Sequence, residues 1–561
     1  MRSSVLLVVA AALLGLLITS SINSSPALAA SPKILAQCQD VNNVMDVDQN
    51  IAACNFILGD SKETIQSRRA ALSNRCALWN IKGNPDLALT DCNQAIGLGP
   101  KDALVLNNRG NAYNNKNDFD RAIADFNEAI RLNPKLAFVY ISRGNAYDAK
   151  KDFDRAINDY NEAIRLDPKL ANAYNGRGNA YKDKGDIDRA IADYNEAMRI
   201  DPKFAMPYYN RGNIYLDKDD NDRAIADYNE VIRLKPESTA YFSRGGAYKA
   251  KRDFDRALAD YNEAIRLDPK YIIAYYNRGN TYLAKGDNDS AIADYGETIR
   301  LDPKYINAYN NRGTAYKAKK DFDSAIADYN EAMRLDPKGS TAYYNRGGAY
   351  KAKGDNDRAI ADFSEVIQLD PDGKDACTQC AYTFRASAYK AKGDNDRAIA
   401  DYNEAIRIDP KNSSTYFDRG RIYLYGGYLA KAQADFKQAN DLNPKAAYVA
   451  LWLDLAERRN NIPSHLAQAA NQIDMAAWPA PVVRLFLGQI TSAAALDAAK
   501  NSDAKTENGQ VCEVNFYSGE LALLQGTQDE AVRLFRLAAK DCPHGFVEWD
   551  GANAELKALG G

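Results

Sequence analysis

The sequence predicts an all-α protein built as a solenoid of stacked helical hairpins. The motif RGNAYKDKGDIDRAIADYNEAMRIDP, at residues 177–202, recurs in versions that begin between Arg109 and Arg419, with a period of 34 residues broken by one step of 33 and one of 39. Within each repeat, small and apolar residues recur three and four positions apart, as they do on one face of an α-helix. A fixed period of this size is the sequence signature of a helical repeat array.

Each repeat is predicted to contain two amphipathic helices. Numbered from 1 to 34, it carries an aromatic residue at 4, Gly at 8, Tyr at 11, Ala at 20, Phe or Tyr at 24, Ala at 27 and Pro at 32. In the repeat quoted above, Gly178 and Ala190 have almost no side chain and let the helix backbones approach closely. Gly185 ends the first helix and Asp186 caps the second. Pro202 then stops the second helix, because proline lacks an N–H donor.

These positions resemble the tetratricopeptide repeat (TPR) family, and ten consecutive repeats match its pattern. The resemblance implies a right-handed superhelical solenoid. It also implies that positions 2, 5, 9 and 12 of each first helix line a concave groove, where the family usually binds peptides. One hairpin cannot bury its apolar face alone, so stacking is what stabilises the array.

The N-terminus is predicted to be a cleaved signal peptide, residues 1–29. Arg2 supplies the positive charge, Val5 to Ile18 form the apolar region, and Ala27 to Ala29 form the cleavage motif. The apolar run of about 14 residues is short for a membrane span. No cysteine follows at a lipoprotein-processing position. The mature chain is therefore expected to be periplasmic or secreted. It is expected to carry no lipid and to have no stable membrane span.

The repeat frame also predicts how the mature chain is organised. The sequence predicts a degenerate N-terminal repeat at 30–68, eleven repeats at 69–446, an irregular helical segment at 447–511, and a C-terminal repeat with a capping helix at 512–561. A capping helix is expected because an open solenoid end must be covered by a polar outer face.

The cysteines are predicted to form disulfides, because eight is an even number and export permits oxidation. Two pairs occupy positions 8 and 24, which face each other across the helices of one hairpin. A third pair occupies positions 1 and 31, at the open end of the C-terminal hairpin. The predicted bonds are Cys38–Cys54, Cys76–Cys92 and Cys512–Cys542. The alternative is that these cysteines are small buried apolar residues.

The last two cysteines, Cys377 and Cys380, form a C-x-x-C motif in the five-residue insertion before the repeat of Arg385. A thioredoxin-like redox motif would need a strand-to-helix context, which a helical array does not supply. A zinc site would need a second such pair. The sequence therefore predicts a structural disulfide in a loop.

One pair of positions departs from the family pattern. Consensus TPR units have an apolar residue at position 7 and often Tyr at 23, whereas eleven repeats here have Arg at 7 and Asp at 23. The two irregular repeats lack both residues, which predicts a partly buried ion pair between helices or between neighbouring repeats. Examples are Arg177 with Asp193 and Arg278 with Asp294. The alternative is duplication of a founder repeat whose arginine is solvated.

Two rows of residues are candidates for binding a peptide in the groove. Asparagine at position 9 offers both a donor and an acceptor to a peptide backbone, and aromatic residues at position 5 are potential anchors. The two rows are Asn111, Asn145, Asn179, Asn213 and Asn280, and Tyr209, Phe242, Tyr276, Tyr344 and Phe417. No Lys stands at position 5, so the clamp that chaperone-tail TPR proteins use for a terminal carboxylate is not expected. The alternative is that both rows are inherited scaffold residues.

Composition and motifs argue against several functions. The 72 basic and 75 acidic residues nearly balance, which does not favour nucleic acid or an anionic membrane surface as a partner. The two histidines lie far apart, so a histidine metal site is not expected. The chain carries no hydrolase, phosphate-loop or zinc-protease motif. No enzymatic activity, metal or cofactor is expected.

The tail from about Leu451 to Leu559 resembles the C-terminal part of the NlpI lipoprotein family, in the segments LWLDLAE, WPAPVVRLFLGQIT, NFYSGELALLQG, AVRLFRLAAKDC and FVEWDGANAEL. This resemblance implies an envelope adaptor that brings proteases and peptidoglycan hydrolases together, although the lipid-bearing cysteine is missing here. The expected function is an exported scaffold that binds other envelope proteins. The expected partners are extended peptide segments of such proteins, or envelope enzymes. The alternatives are a module that binds glycan or peptidoglycan fragments, and a structural protein that forms homo-oligomers through its tail.

Overall fold

The computed structural model is helical throughout the part of the chain that it describes, and no strand occurs there. The described residues are 32–40, 46–373, 376–500, 503–543 and 545–560. The predicted signal peptide lies outside them. The chain divides into two compact units, the N-terminal unit Met1–Thr281 and the C-terminal unit Tyr282–Gly561.

In the N-terminal unit the helices pair into hairpins with the spacing of the predicted repeat. Most first helices have 13 residues and most second helices have 14. The helices are α1 (Pro32–Gln39), α2 (Val47–Gly59), α3 (Ile65–Ile81), α4 (Pro85–Gly97), α5 (Ala103–Asn115), α6 (Phe119–Leu132), α7 (Ala137–Ala149), α8 (Phe153–Leu166), α9 (Ala171–Asp183), α10 (Ile187–Ile200), α11 (Ala205–Asp217), α12 (Asn221–Leu234), α13 (Ser238–Ala250) and α14 (Phe254–Leu267). Helix α15 (Ile272–Lys285) spans the boundary between the units.

The C-terminal unit continues the hairpins and ends in a helical tail. The remaining hairpin helices are α16 (Asn288–Leu301), α17 (Ile306–Ala318), α18 (Phe322–Leu335), α19 (Ser340–Ala352), α20 (Asn356–Leu369), α21 (Ala376–Ala391), α22 (Asn395–Ile408), α23 (Ser413–Tyr425) and α24 (Leu429–Leu442). The tail contains α25 (Ala447–Arg459), α26 (Leu466–Ala469), α27 (Ala480–Phe486), α28 (Ser492–Ala498), α29 (Ala504–Leu524), α30 (Gln528–Asp541) and α31 (Val547–Ala558). Among the described residues, none of the helices combines the length and apolar character needed to cross a membrane.

In hairpins with an aromatic residue at position 24, the ring packs against the small residue at position 8. Tyr194 and Ala190 are fully buried between α9 and α10. A Cβ atom on Gly178 would lie 2.7 Å from Cε1 of Tyr194, well inside van der Waals contact. Glycine at position 8 thus leaves room for the ring to pack directly on its backbone. In the repeat of Arg385 the small residue at this position is Ala386, which packs in one cluster with Tyr402.

Neighbouring glycines in α13 test this explanation. A Cβ on Gly245 would lie 2.9 Å from Cε1 of Tyr261 and 3.3 Å from the carbonyl oxygen of Ala257, whereas a Cβ on Gly246 would meet no atom within 4 Å. We expect Gly245→Ala to destabilise the protein by about 1–3 kcal/mol through overpacking. Gly246→Ala is expected to stabilise the helix by about 0.5–1 kcal/mol. Chemical denaturation of both variants checks this, and equal effects of the two substitutions would contradict it.

The turns between paired helices combine a capping aspartate with a left-handed residue. The Asp186 carboxylate accepts a hydrogen bond from the backbone N–H of Arg189 at 3.2 Å, as a helix N-cap does. The residue before it, Gly185, has a φ of 87°. The equivalent residues Lys151 and Asp219 adopt φ values of 63° and 59° without being glycine. The backbone conformation of this turn is therefore kept even where the residue type is not.

The arginine at position 7 pairs with the aspartate at position 23 of its own hairpin. Arg177 Nε and Nη2 donate to the two carboxylate oxygens of Asp193 at 2.8 and 2.7 Å. Arg177 Nη1 donates at 2.6 Å to Oδ1 of Asn161, in the second helix of the preceding hairpin. The side chains of Arg177 and Asp193 are 19% and 9% exposed. The arginine thus joins both helices of its repeat to the neighbouring repeat.

The same pairing recurs along both units. The other bidentate pairs in the N-terminal unit are Arg75–Asp91, Arg109–Asp125, Arg143–Asp159, Arg211–Asp227 and Arg244–Asp260. Those in the C-terminal unit are Arg312–Asp328, Arg346–Asp362, Arg385–Asp401 and Arg419–Asp435. In these repeats the arginine is not a solvated surface residue.

Three cysteine pairs lie at bonding distance, with the partners that the repeat frame predicts: Cys38–Cys54, Cys76–Cys92 and Cys512–Cys542. The fourth prediction is wrong, because Cys377 and Cys380 form no disulfide with each other in the structure. Both residues lie within the first five residues of α21, which is 16 residues long, rather than in a loop. The insertion therefore lengthens the N-terminal end of a helix.

The tail packs on the last full hairpin through a large aromatic core. Trp452 of α25 is fully buried and contacts Phe436 of α24 and Phe516 of α29, with ring centroids 6.0 and 5.9 Å apart. Helices α29 and α30 repeat the hairpin geometry, since a Cβ on Gly519 would lie 2.8 Å from Cε1 of Phe535. Helix α31 packs on α30 and lies at the end of this array.

Candidate functional site

The first helices of successive hairpins form a continuous surface within each unit. In the N-terminal unit α3, α5, α7, α9, α11 and α13 contact one another in sequence, and in the C-terminal unit α17, α19 and α21 do so. Most second helices, such as α4, α6 and α18, pack instead against their own first helix and the first helix of the next hairpin. We call these two surfaces the N-terminal and C-terminal first-helix faces.

The asparagines at position 9 are partly used by the scaffold. In three hairpins the buried tyrosine at position 24 donates its hydroxyl to the asparagine Oδ1 at 2.7 Å. These pairs are Tyr160–Asn145, Tyr194–Asn179 and Tyr228–Asn213. The carbonyl of each side chain therefore points into its hairpin, and the amide NH₂ group is the part directed away from that bond.

Asn111 differs from the other asparagines of the row. Its hairpin has Phe126 at position 24, which carries no hydroxyl group. Asn111 is half-buried, and no hydrogen bond reaches its side chain from the described residues. Both its donor and its acceptor are available to a ligand on the N-terminal first-helix face.

The aromatic residues at position 5 rest on the same buried rings. The Tyr209 ring centroid lies 5.9 Å from that of Tyr228, and Phe242 lies 5.8 Å from Tyr261. In the C-terminal unit, Tyr344 lies 6.0 Å from Phe363, and Phe417 lies 5.7 Å from Phe436. The five predicted anchors, which include Tyr276, are all half-buried. These aromatic side chains are therefore packed within the scaffold, and each has only part of its surface exposed to solvent.

Four buried oxygen atoms on the N-terminal first-helix face accept no hydrogen bond within the described residues. They are Oδ1 of Asn80, Asn107, Asn114 and Asp148, in α3, α5 and α7. Buried polar atoms are nearly always hydrogen-bonded, and one left without a partner costs about 1–3 kcal/mol. A ligand N–H group that reached one of these acceptors would recover that cost.

Asp148 is the charged member of this group. Burial raises its pKa to about 6, and the carboxylate of Asp183 in α9 adds a like charge. Positions 5 and 12 both belong to the groove that the family resemblance implies, yet only the aromatic residues at 5 were singled out from the sequence. An asparagine or aspartate at either position is the signal that could have identified these residues.

A second group of buried acids lies in the tail. Glu513 accepts hydrogen bonds from Trp478 Nε1 at 2.8 Å and from the Tyr448 hydroxyl at 2.9 Å. Glu548 accepts one from the Tyr517 hydroxyl at 3.2 Å. Burial and the Glu513 carboxylate raise the pKa of Glu548 to about 7. Both carboxyl groups are used within the tail core, and no cluster of His, Cys, Asp and Glu in the described residues is arranged to hold a metal ion.

Glu548 makes the stability of the tail depend on pH. Glu513 raises its pKa, while Tyr517 and Arg421 favour its ionised form. Because its folded pKa lies above the unfolded value, its contribution to stability is complete below about pH 4.5 and is lost as pH rises through about 7. We expect Glu548 to lower tail stability by about 2 kcal/mol between pH 5 and pH 8, and Glu520 on α29, whose pKa burial also raises to about 7, to contribute separately. Hydrogen exchange of α29 and α31 checks this, and an unchanged pH response in Glu548→Gln would contradict it.

Family models match along most of the repeat array. Models described as TPR repeat match residues 144–185, 178–219, 245–286, 279–320, 313–354 and 386–427. Models described as tetratricopeptide repeat match 103–136, 205–238, 340–372 and 413–445. Together these matches cover more than half of the chain.

Several solved structures are similar to parts of the chain. MamA is 30% identical over 29% of this chain and 95% of its own, with a TM-score of 0.28. A tetratricopeptide repeat protein from Parabacteroides merdae is 23% identical over 45% of this chain and 98% of its own, with a TM-score of 0.37. Yeast Tom70 is 17% identical over 73% of this chain and 99% of its own, with a TM-score of 0.35.

Proposed function

Because the chain belongs to the tetratricopeptide repeat family, we propose that it is a non-enzymatic scaffold that binds extended segments of other proteins along its N-terminal first-helix face. The observation that carries this proposal is the group of acceptors without donors on α3, α5 and α7. They lie on helices that contact one another, beside the available amide of Asn111. Each such group costs stability until a donor reaches it, and a bound ligand would recover that cost.

An extended peptide matches these groups chemically. Its backbone offers one N–H and one C=O per residue, at about 3.3 Å per residue. Asn80, Asn107 and Asn114 would accept from its N–H groups, and Asn111 can both donate and accept. The half-exposed rings of Tyr209 and Phe242, on α11 and α13 of the same unit, would serve as apolar anchors.

The setting that we propose is the cell envelope. The predicted signal peptide at residues 1–29 and the three disulfides support export to an oxidising compartment, periplasmic or extracellular. The resemblance of the tail to the NlpI lipoprotein family supports an adaptor role among envelope enzymes. The partners on this proposal are other envelope proteins, bound through extended peptide segments.

Crosslinked affinity purification from envelope extract tests the proposal. The baits are the full mature chain, Asn111→Ala/Asp148→Ala, and the control Gln94→Ala/Asp188→Ala, which removes an exposed amide and an exposed carboxylate from second helices. Since Asn111 has no scaffold partner and the Asp148 carboxylate is buried beside a like charge, the first variant should fold normally. We expect a defined set of proteins with the mature chain and the control, and their loss with the first variant.

Two outcomes would overturn the proposal. Recovery of the same proteins by all three baits would exclude this face as the binding surface. Retention on isolated peptidoglycan with no protein partner recovered would favour the glycan-binding alternative. Circular dichroism and thermal unfolding of the three baits establish that any loss of binding does not come from misfolding.

A further inference from the structure

The C-terminal first-helix face carries two lysines that form no hydrogen bond or ion pair within the part of the chain that the structure describes. Lys317 in α17 and Lys351 in α19 stand at position 12 of successive repeats and are half-buried. No hydrogen bond or ion pair from the described residues reaches either ammonium group. Lys317 Nζ lies 3.7 Å from the place that a Cβ on Gly348 would take. Lys351 Nζ lies 5.4 Å from the centroid of the Phe384 ring. Both amines therefore lie over the first helix of the next hairpin.

The lysines at the C-terminal ends of the same two helices, in contrast, form ion pairs. Two residues further on, Lys319 and Lys353 stand at position 14 and form ion pairs with Asp289 and Asp323. In α23 of the same unit, position 12 is occupied by the buried Leu424. The hairpin fold therefore does not need a lysine at position 12. Lys249, at the same position of α13 in the N-terminal unit, is also half-buried and has no ion pair among the described residues.

An unpaired, half-buried ammonium group lowers the stability of the protein. Burial lowers the pKa of Lys317 and of Lys351, because a low-dielectric environment disfavours the charged form. For Lys351 the Asp418 carboxylate opposes this shift but does not cancel it. An anion bound beside these groups would offset that desolvation and gain charge-assisted hydrogen bonds. The positions of the two amines therefore favour the binding of a negatively charged ligand.

The next positively charged side chains along this face, Lys390 and Arg421, form ion pairs with carboxylates. Lys390 Nζ contacts the Asp550 carboxylate at 2.8 Å, and Arg421 contacts Asp550 and Asp418 at 3.1 and 3.5 Å. These contacts mark one end of the region in which positive charge is unpaired.

An apolar surface lies beside the two lysines. The rings of Tyr344 and Phe384 meet edge to face, with centroids 5.7 Å apart. Phe384 is 38% exposed, and its ring carries Lys351 on one side. The unpaired cations are therefore combined with an exposed aromatic surface.

We propose that the C-terminal first-helix face binds an extended acidic segment of a partner protein. Two carboxylates contact Lys317 and Lys351, and an apolar side chain between them rests on Phe384 and Tyr344. Packed helices lie about 10 Å apart and an extended chain advances about 3.3 Å per residue, so the acidic residues recur about every third position. This inference rests on the proposed function, since it assigns a class of partner segment to a second first-helix face.

Fluorescence anisotropy with a defined probe tests the proposal. The probe is a labelled 15-residue peptide with glutamate at every third position, one central leucine, and an amidated C-terminus that removes the terminal carboxylate. A second probe has glutamine in place of each glutamate. The proteins are the full mature chain, Lys317→Gln/Lys351→Gln, and the control Lys319→Gln/Lys353→Gln, which removes the same charge from the same helices at paired lysines.

We expect the mature chain and the control to bind the glutamate probe, and Lys317→Gln/Lys351→Gln to bind it about tenfold more weakly or worse. The glutamine probe should bind no better than this variant binds the glutamate probe, and added salt should weaken only the glutamate complex. Equal weakening in both lysine variants, or equal binding of both probes, would overturn the proposal. Tighter, lysine-dependent binding of polyadenylate RNA would also overturn it, in favour of a general polyanion surface.

This assay can fail independently of the proposed function. If the glutamate probe does not bind but envelope proteins are still captured through Asn111 and Asp148, the acidic-segment inference is wrong and the scaffold assignment stands. If neither is observed, both are wrong.

Discussion

Replacing Asp193 by alanine is expected to lower the free energy of unfolding of the surrounding repeats by about 3–5 kcal/mol. The substitution leaves the Arg177 guanidinium, whose side chain is 19% exposed, without the two carboxylate oxygens that it now contacts. It also removes the link from α9 to α10, so that Arg177 retains only its hydrogen bond to Asn161. Hydrogen exchange across α9 and α10, with urea unfolding followed by circular dichroism, measures the loss.

The control for this prediction replaces both charges at once. Arg177→Leu/Asp193→Tyr introduces the apolar residue and the tyrosine that consensus repeats carry at positions 7 and 23. Because replacing a buried ion pair by packed apolar residues is often neutral, we expect most of the lost stability to return. If Asp193→Ala unfolds like the unmodified protein, or if the double variant is as unstable as the single one, the ion pair does not have the role described above.

Removing the Cys76–Cys92 disulfide is expected to destabilise its hairpin by about 3 kcal/mol. The bond closes a loop with a sequence separation of 16 residues, and a loop of this size restricts the unfolded chain by roughly that amount. Both cysteines are fully buried in one cluster with Leu72 and Ala88. We expect Cys76→Ala/Cys92→Ala, or treatment with a reducing agent, to increase hydrogen exchange in α3 and α4.

The C-x-x-C motif provides the matched control for the disulfide. Cys377→Ala/Cys380→Ala also removes two cysteines from a helical hairpin, but the structure forms no bond between them. We therefore expect this variant to keep the unfolding transition of the unmodified protein and to respond to reducing agent in the same way. An equal loss of stability in both cysteine variants would contradict the assignment of these bonds.

Much of the scaffold was predictable because one repeat determines its neighbours. The repeat frame predicts, and the structure contains, Gly178 against Tyr194, Arg177 beside Asp193 and Cys76 opposite Cys92. Each of these pairs joins two helices of one hairpin, so its geometry follows from the 34-residue period alone. The insertion before Arg385 breaks that period, so the period could not predict that Cys377 and Cys380 lie in a helix and not in a loop. The helix α21 takes up the added residues, which include Cys377 and Cys380.

The candidate site was less predictable, because surface positions are not fixed by the period. The sequence indicated asparagines at position 9, but hydroxyl groups such as that of Tyr194 occupy their carbonyl oxygens, and this depends on whether position 24 is Tyr or Phe. The unpaired Asn107 and Lys351 become evident only when every possible partner has been located. Absence of a partner is a property of the fold, which no single motif encodes.

Site-specific photocrosslinking tests the central claim, that this protein binds its partners through the first helices. A photoreactive phenylalanine analogue replaces the exposed Leu104 on the first helix α5, and in a second protein it replaces the exposed Gln94 on the second helix α4. Each protein is irradiated in envelope extract. The proposed function predicts crosslinks to a defined set of proteins from position 104 and none to that set from position 94. Equal crosslinking from both positions, or crosslinking from position 94 alone, would contradict it.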